Sequence, residues 1–308
     1  MDNFADQLFR FTFDHLPIRG QWVRLRTVIA DANQYHTYPE PIRVLMAEQL
    51  AAVSMFADTL KMEGSVALQS RGEGALIRSL AECRSQHKLR AIAHLKEDMT
   101  HPNQPAITEW LGHGQLALTL IPDLEGAQTY QGMVELMKPQ LEENLEQYFL
   151  QSEQLPTRLY FAHSDMEAPA AEVTGMLIQR LPDEDMGHEM STHEWEEAWS
   201  TIETLAATLT REELATLPPE RFLHRLFNEF SCRLHPPRAL KYECTCSRTK
   251  TDRTLATFPA EDLRQLITER DNIDVDCEFC GARYRYDAVD VEQLILQGTG
   301  PQGSDRIH

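Results

Sequence analysis

The sequence has few cysteines, few cations relative to anions, and no long apolar run. It holds six cysteines in 308 residues, and 29 lysines and arginines stand against 48 aspartates and glutamates, a formal net charge of −19. An acidic surface repels phosphate backbones and anionic lipid headgroups, so we expect neither nucleic acid nor a membrane as a partner. No apolar run approaches the length of a membrane-spanning helix.

Targeting and nucleotide-binding signals are also missing. The first residues, MDNFADQLFRFTFDHL, carry Asp2, Asp6 and Arg10 where a secretory signal needs an apolar core. We therefore expect a cytoplasmic protein, whose thiols are kept reduced. There is no Gly-Lys dipeptide, and neither GEG (72–74) nor GHG (112–114) continues as a Walker or dinucleotide pattern. We interpret both as hairpin turns and predict no nucleotide site.

The first 181 residues mix helical and strand patterns. Residues 39–61 begin with prolines and have a broad apolar face at helical spacing, and 138–155 is helical again. Short β-type runs are predicted at 66–69, 89–94, 116–121, 157–163 and 173–181. Because the strands come in groups and not in regular βαβ alternation, the pattern favours an α+β fold over a doubly wound sheet.

The sequence becomes strongly acidic after Pro182. Residues 183–213 contain ten acidic residues against one basic residue, Arg211, and 210–213 have the pattern of a capping box. Apolar side chains nevertheless recur at helical steps in two stripes: Trp195, Trp199, Ile202, Leu205 and Leu209, then Phe222, Leu223, Leu226, Phe227 and Phe230. We expect both stripes to pack on the N-terminal domain. Charge repulsion opposes that docking, so it should be marginal.

Four of the six cysteines form two tight pairs, Cys244/Cys246 and Cys277/Cys280, separated by thirty residues. Each pair is a short chelating bite, and two bites bring four thiolates to one tetrahedral centre, which suits Zn²⁺. Gly281 permits the tight turn after the last ligand. A module of about sixty residues has little core, so metal binding should supply much of its folding energy.

A closed all-thiolate site leaves no position for a reactive water, which excludes hydrolytic zinc chemistry. A structural zinc ribbon remains an alternative, although nine basic and twelve acidic residues between 238 and 292 make a poor nucleic-acid binder. A thioredoxin-type site at CEFC is a more distant alternative. The residues also suit a redox switch, because oxidation of either pair destroys two ligands at once and the strained C-x-C disulfide is easily reduced again.

Three segments carry a resemblance to a known family. YFLQSEQLPTRLYF (148–161), ECTCSR (243–248) and DCEFCGARYRYDAVDVEQL (276–294) resemble the redox-regulated zinc holdase family, the 33-kDa heat-shock chaperones of bacteria. The resemblance covers essentially the whole chain. It implies a cytosolic, ATP-independent chaperone, not an enzyme, that is inactive when reduced and zinc-bound. Oxidants convert the four ligands to two disulfides, zinc leaves, and apolar surface is exposed that holds unfolding clients under oxidative stress.

The same resemblance assigns residues, partners and domains. One Zn²⁺ per chain is held by the four redox-active thiols of Cys244, Cys246, Cys277 and Cys280, whereas Cys83 and Cys232 are ordinary thiols. The implied partners are unfolded clients, a second copy of the chain when oxidised, thiol reductants such as thioredoxin or glutaredoxin, and ATP-dependent foldases downstream. The expected division is an α+β client-binding domain (1–178), a metastable helical linker (179–236), a zinc-binding redox-switch domain (237–295) and a disordered tail (296–308).

Overall fold

The structure is a computed structural model that describes residues 4–59, 64–85, 87–97, 102, 105–124, 126–182 and 192–298. The chain divides into two compact units, Met1–Glu243 and Cys244–His308. Both contain helices and strands, which confirms the predicted α+β class. The boundaries after residues 178, 236 and 295 stay predictions. In the part of the chain that the structure describes, no helix has the length and apolarity needed to cross a membrane.

The first unit contains twelve described strands and seven described α-helices. The strands are β1 (Gln7–Phe13), β2 (Ile18–Leu25), β3 (Gly64–Gly72), β4 (Leu76–Arg84), β5 (Lys88–Leu95), β6 (Gly114–Pro122), β7 (Tyr130–Glu135), β8 (Thr157–His163), β9 (Val173–Arg180), β10 (Cys232–Leu234), β11 (Arg238–Ala239) and β12 (Lys241–Tyr242). The helices are α1 (Thr27–Ala32), α2 (Glu40–Thr59), α3 (Ile107–Leu111), α4 (Leu141–Tyr148), α5 (Thr192–Ala206), α6 (Arg211–Thr216) and α7 (Pro219–Phe227).

These strands form two sheets. The first sheet has the order β10-β1-β2-β9-β8, with β11 also pairing with β1, and all its pairs are antiparallel. The second has the order β12-β5-β4-β3-β6-β7, and only β12 and β5 run parallel among its described pairs. All five strands and the helix over 39–61 that the sequence predicts are present, the helix as α2.

The first sheet is apolar on both faces, because side chains alternate along each strand. On β1, Leu8 joins the large core that contains α2 and residues of the second sheet, whereas Phe9, Phe11 and Phe13 point to the opposite face. On that face, helices α5, α6 and α7 cover the sheet. The predicted capping box at the start of α6 is present, with Thr210 and Glu213 bonded reciprocally. The acidic residues of 183–191 lie outside the described residues.

The helix predicted over 138–155 is present in shortened form, because α4 begins at Leu141 and continues after Tyr148 as a π-helical turn, Phe149–Glu153. One local expectation is wrong. The GHG segment at 112–114 is not a hairpin turn, because it joins α3 to β6; Gly112 has φ +63°, which ends the helix. The GEG segment at 72–74 does join the antiparallel strands β3 and β4, as predicted.

Residues 232–243, which we call the strap, connect the two sheets of the first unit. Strands β10 and β11 pair with β1, and β12 then pairs with β5. On β11, the Arg238 guanidinium lies 2.5 Å from a carboxylate oxygen of Asp58, whose side chain is fully buried. Leu240 joins the main core. The strap is therefore an integral part of both sheets, and its last residue is bonded directly to Cys244.

The second unit is small. Its described elements are α8 (Arg248–Leu255), α9 (Ala260–Arg270), β13 (Ile273–Asp276), β14 (Arg283–Tyr286) and α10 (Ala288–Gly298). Helices α8 and α9 both lie between the two cysteine pairs in the sequence. Helix α10 includes residues 296–298, so the start of the expected disordered tail is helical, and the remainder of that tail lies outside the described residues.

Candidate functional site

The four paired cysteines stand at the ends of short elements of the second unit. Cys244 and Cys246 immediately precede α8, whose N-cap residue Ser247 accepts a hydrogen bond from the backbone N–H of Lys250. Cys277 follows β13, and Cys280 lies in the turn that leads to β14. Cys244 and Cys246 thus lie in an irregular segment before a helix, whereas Cys277 and Cys280 lie at either end of a turn between two strands.

The four sulfurs come together in one cluster. All four Sγ atoms lie within 4.8 Å of one another. The Sγ atoms of Cys244 and Cys277 are 3.6 Å apart, and those of Cys246 and Cys280 are 3.4 Å apart. Four thiolates about 2.3 Å from a tetrahedral metal ion lie roughly 3.8 Å from one another. The cluster is therefore able to hold one metal ion with four sulfur ligands.

The turn after Cys277 has the geometry of a metal-binding knuckle. The backbone N–H of Gly281 donates to the carbonyl of Cys277 at 2.8 Å, and the N–H of Cys277 donates to Ala282 at 2.8 Å. Gly281 has φ +64°, a left-handed conformation that glycine adopts without a steric penalty. This confirms the role predicted for the glycine. Two cross-strand pairs, Arg283 with Asp276 and Arg285 with Asp274, hold the adjoining β13–β14 hairpin.

The pKa values of the clustered cysteine thiols are shifted in different directions. Burial raises the pKa of Cys244 and that of Cys280. Burial opposes ionisation of Cys246 as well, but hydrogen bonds from Tyr284 and the neighbouring cysteines outweigh it and hold the pKa of Cys246 below its ordinary value. The Tyr284 hydroxyl donates to Cys246 Sγ at 3.1 Å, and this bond raises the pKa of Tyr284 to about 12. Cys246 therefore ionises more readily than Cys244 or Cys280. Sequence reasoning missed Tyr284, which lies four residues after the last ligand.

The apolar core beside the cluster is small. Among the described residues of the second unit, five buried side chains form it: Leu255, Leu263, Tyr286, Val291 and Leu294. The Tyr286 hydroxyl donates to Asp252 at 2.7 Å, and the Arg248 guanidinium lies 4.3 Å from the Tyr286 ring centroid. So few buried side chains contribute little against the conformational entropy of the unit. Its folding therefore depends on another source of free energy.

The second candidate region is the interface between the first sheet and helices α5–α7. The sheet contributes a surface that we call the linker-binding face: Phe9, Phe11, Phe13, Ile18, Trp22, Ala162, Met176 and Ile178. The helices contribute eight buried residues of the same cluster: Trp199, Ile202, Ala206, Leu214, Phe222, Leu223, Leu226 and Phe227. Trp195 is also buried, and Leu205, Leu209 and Phe230 are partly buried. This confirms that both predicted stripes pack on the N-terminal part of the chain.

The centre of this interface is aromatic. The Trp22 and Phe222 rings are stacked with centroids 6.5 Å apart, and Phe227 stacks on Phe11 at 6.4 Å and meets Phe13 edge-on at 5.1 Å. Such pairs contribute roughly 0.5–1.5 kcal/mol each beyond the burial of their area. Release of the helices would therefore expose a large apolar surface on the sheet and a matching one on the helices.

The two remaining cysteines lie apart from the cluster. Cys83 is fully buried on β4, and burial with the nearby Glu82 raises its pKa to about 12. Cys232 is partly buried on β10, where burial and Asp14 raise its pKa to about 11. Thiols with raised pKa values form little of the thiolate that reacts with oxidants. Their environment agrees with the expectation that they are ordinary reduced thiols.

Comparison with known proteins agrees with this geometry. The family described as Hsp33 protein matches residues 6–287. The chain is 37% identical over 311 residues to the 33 kDa chaperonin of Pseudomonas syringae pv. tomato, with 100% of each chain covered. It is 38% identical over 300 residues to that of Pseudomonas aeruginosa PAO1, with 97% of each covered. Its fold is similar to that of the 33 kDa chaperonin of Thermotoga maritima, with a TM-score of 0.80 and 22% identity. The match covers 95% of this chain and 98% of the Thermotoga chain.

These matches span nearly the whole chain and its relatives. They confirm the resemblance carried by the SEQLPTR, ECTCSR and DCEFCGARY segments. The curated relatives are chaperonins, which confirms the prediction of a chaperone and not an enzyme. The chain belongs to the Hsp33 protein family.

Proposed function

We propose that the chain is a redox-regulated, ATP-independent holdase of the cytoplasm, inactive when reduced and zinc-bound and active after oxidation. The observation that carries this proposal is the four-sulfur cluster in a unit with a five-residue core. A metal ion bound there supplies folding free energy that the small core does not. Oxidation of the sulfurs therefore controls whether the unit stays folded. The alternative is a zinc-ribbon regulatory protein, in which oxidation produces no chaperone activity.

The proposed metal is one Zn²⁺ per chain, held by Cys244, Cys246, Cys277 and Cys280. Four thiolates are soft ligands in a tetrahedral arrangement, which favours zinc over the hard cations that prefer oxygen. Bound zinc supplies folding free energy on the order of 10 kcal/mol and keeps the thiolates deprotonated at neutral pH. Tyr284 adds a hydrogen bond to one of these sulfurs.

Oxidation converts the four thiolates to two disulfides. Each disulfide forms when two thiolates give two electrons to an oxidant, so one chain consumes two equivalents. Hydrogen peroxide takes up two protons and leaves two waters, whereas hypochlorous acid takes up one proton and leaves chloride and one water. Pairing of the sulfurs removes the ligands that hold the ion, and the second unit then lacks the free energy that kept it folded.

Loss of the second unit would weaken the docking of the linker, 179–236, because the strap that follows the linker loses its folded anchor beyond Glu243. The linker-binding face and the apolar faces of α5–α7 then hold unfolding client proteins. Oxidised chains associate as homodimers, reductants such as thioredoxin or glutaredoxin restore the thiols, and ATP-dependent foldases receive the clients. The charge of −19 supports the absence of nucleic acid and membrane partners.

The proposal is tested by client aggregation measured with light scattering, in parallel with zinc content. Reduced protein carrying one zinc per chain should leave the aggregation of a chemically denatured client unchanged. Protein treated with peroxide at raised temperature, or with hypochlorous acid, should release its zinc and suppress aggregation. Zinc release without suppression would support the zinc-ribbon alternative.

Oxidation is expected to pair neighbouring cysteines, Cys244 with Cys246 and Cys277 with Cys280. Once the ion leaves and the unit unfolds, one or two residues separate the members of each pair, whereas thirty separate the pairs, so the effective concentration is highest within a pair. The closest sulfurs of the folded cluster are instead Cys244 with Cys277 and Cys246 with Cys280. Peptide mapping of the oxidised protein distinguishes the two outcomes, and mainly cross-pair disulfides would contradict the expectation.

The same experiment needs a control for the two isolated thiols. The double variant Cys83→Ser/Cys232→Ser should release zinc and become active at the wild-type oxidant dose. Loss of activation in this variant would show that the switch involves more than the four clustered cysteines.

A further inference from the structure

The linker-binding face has arginines among its apolar residues. Arg24 of β2 is 8% exposed, and its guanidinium lies 4.9 Å from the Trp22 ring centroid. It donates to the backbone carbonyl of Ala215 at 2.6 Å and to that of Leu217 at 3.5 Å. These carbonyls belong to the C-terminal end of α6, which carries the partial negative charge of the helix dipole.

Two further arginines of the sheet contact α5. Arg158 of β8 forms an ion pair with Glu203 of the helix, in addition to one with Glu146 of α4 at 3.2 Å. Arg180, the last residue of β9, places its guanidinium 4.6 Å from the ring centroid of Trp195. Guanidinium groups attract the electron-rich faces of aromatic rings.

All three arginines therefore meet electronegative features of the linker: helix-terminal carbonyls, a carboxylate and an indole ring. Two contacts of opposite polarity lie at the edge of the described interface: Arg211 of α6 stands 3.8 Å from Glu142 and Arg233 of β10 stands 3.4 Å from Asp14, and these arginine side chains are 68% and 67% exposed. Exposed ion pairs of that length contribute little to binding. The face is thus complementary to an amphipathic helix that carries negative charge beside its apolar stripe.

The overall charge of −19 opposes such a preference, but most of that charge acts from a distance. Screening in about 0.15 M salt has a length of roughly 8 Å, so remote carboxylates contribute weakly to binding. The three arginines act at contact distance, and Arg24 acts inside an apolar surface where electrostatic interactions are stronger.

We infer that the linker-binding face, once uncovered, selects client segments that resemble the linker: amphipathic helices whose aromatic or aliphatic stripe is flanked by acidic residues. A segment of equal apolar area flanked by lysine binds more weakly. This inference rests on the proposed function, because the face is accessible only after the linker is released. It adds a substrate class to a surface that would otherwise accept any apolar segment.

The test uses two fluorescently labelled peptides and the oxidised full-length chain. The first peptide is 192–217 of this chain, THEWEEAWSTIETLAATLTREELATL. The second carries lysine in place of Glu196, Glu197 and Glu203, which keeps the apolar stripe and a similar helix propensity. Fluorescence anisotropy at 0.15 M salt should show at least about tenfold tighter binding of the acidic peptide, with the preference shrinking as salt rises.

A pair of variants locates the preference on the face. Arg158→Gln should weaken binding of the acidic peptide about fivefold and leave that of the lysine peptide within about twofold. Arg84→Gln is the matched control, because Arg84 is also ion-paired and 35% exposed but lies on β4 of the second sheet. It should change neither affinity.

The outcomes separate this inference from the function on which it rests. Equal binding of both peptides, tighter binding of the lysine peptide, or an equal loss of both in Arg158→Gln would overturn the inference if the oxidised protein still suppresses client aggregation. Failure of the oxidised wild type to suppress aggregation would overturn the proposed function and the inference together.

Discussion

Replacing Trp199 with glutamate is expected to produce a holdase that is active without oxidation. Trp199 is 9% exposed on α5 and packs in the cluster of the linker-binding face. Removing a buried tryptophan costs about 3–5 kcal/mol, and a carboxylate in its place would also have to be dehydrated or leave the interface. Glu203, one turn further along the helix, adds like-charge repulsion.

The prediction depends on a narrow margin of docking. Each fully buried apolar side chain contributes roughly 1.5–3 kcal/mol, but ordering the linker opposes this gain, as does the acidic charge of 183–213. We expect a net margin of a few kcal/mol, so a loss of about 4 kcal/mol shifts the docking equilibrium roughly a thousandfold. The reduced, zinc-loaded variant should then suppress client aggregation in a light-scattering assay.

Ser200→Glu is the matched control for this variant. Ser200 is the next residue of α5 and is exposed, so the same charge enters the same helix without entering the interface. The Ser200→Glu variant should keep its zinc and stay inactive until oxidised. Its linker should stay docked and therefore resist proteolysis. If Trp199→Glu behaves like the control, with zinc bound and the linker protected, docking is not marginal and the idea is wrong.

Replacing Cys280 with serine is expected to abolish zinc binding and unfold the second unit. A hydroxyl is a harder ligand than a thiol and far less acidic, so the affinity should fall roughly a thousandfold or more. With five buried apolar side chains in its described part, the unit cannot replace that free energy by packing. Zinc measured with a chromophoric chelator should be absent, and amides of 244–298 should exchange rapidly with solvent.

Cys232→Ser serves as the control for the zinc measurement, because Cys232 lies on β10 of the first unit and contributes no sulfur to the cluster. It should bind one zinc per chain. Full zinc retention in Cys280→Ser would refute the assignment of the ligands.

The parts of the structure that the sequence predicts are those that depend on local spacing. The four-cysteine cluster follows from two short bites, and α2 and the linker stripes follow from helical periodicity. The GHG segment misleads because two glycines around a polar residue are typical of a turn between strands, whereas here a five-residue helix precedes them. So short a helix leaves no periodicity to detect.

The features that the sequence does not predict depend on distant partners. Strands β11 and β12 are two residues long, and their pairing with β1 and β5 joins residues more than 150 positions apart. Arg24 would be expected at the surface on the basis of its charge, yet it is buried because carbonyls some 190 positions away accept its hydrogen bonds. No local pattern carries either kind of information.

The pairing of the strap with the first sheet affects how the holdase would release a client. The linker leaves the first sheet at β9 and returns to it at β10, with β2 and β1 between them, so its ends stand about 14 Å apart. While both strands keep their pairing, a released linker is a loop closed at both ends and stays near its own face at an effective concentration in the millimolar range. A client at micromolar concentration therefore competes for the face with a linker that is covalently held beside it. Release of the client would then need no energy-consuming partner protein. Any condition that lets the linker refold on its own face displaces the client by mass action.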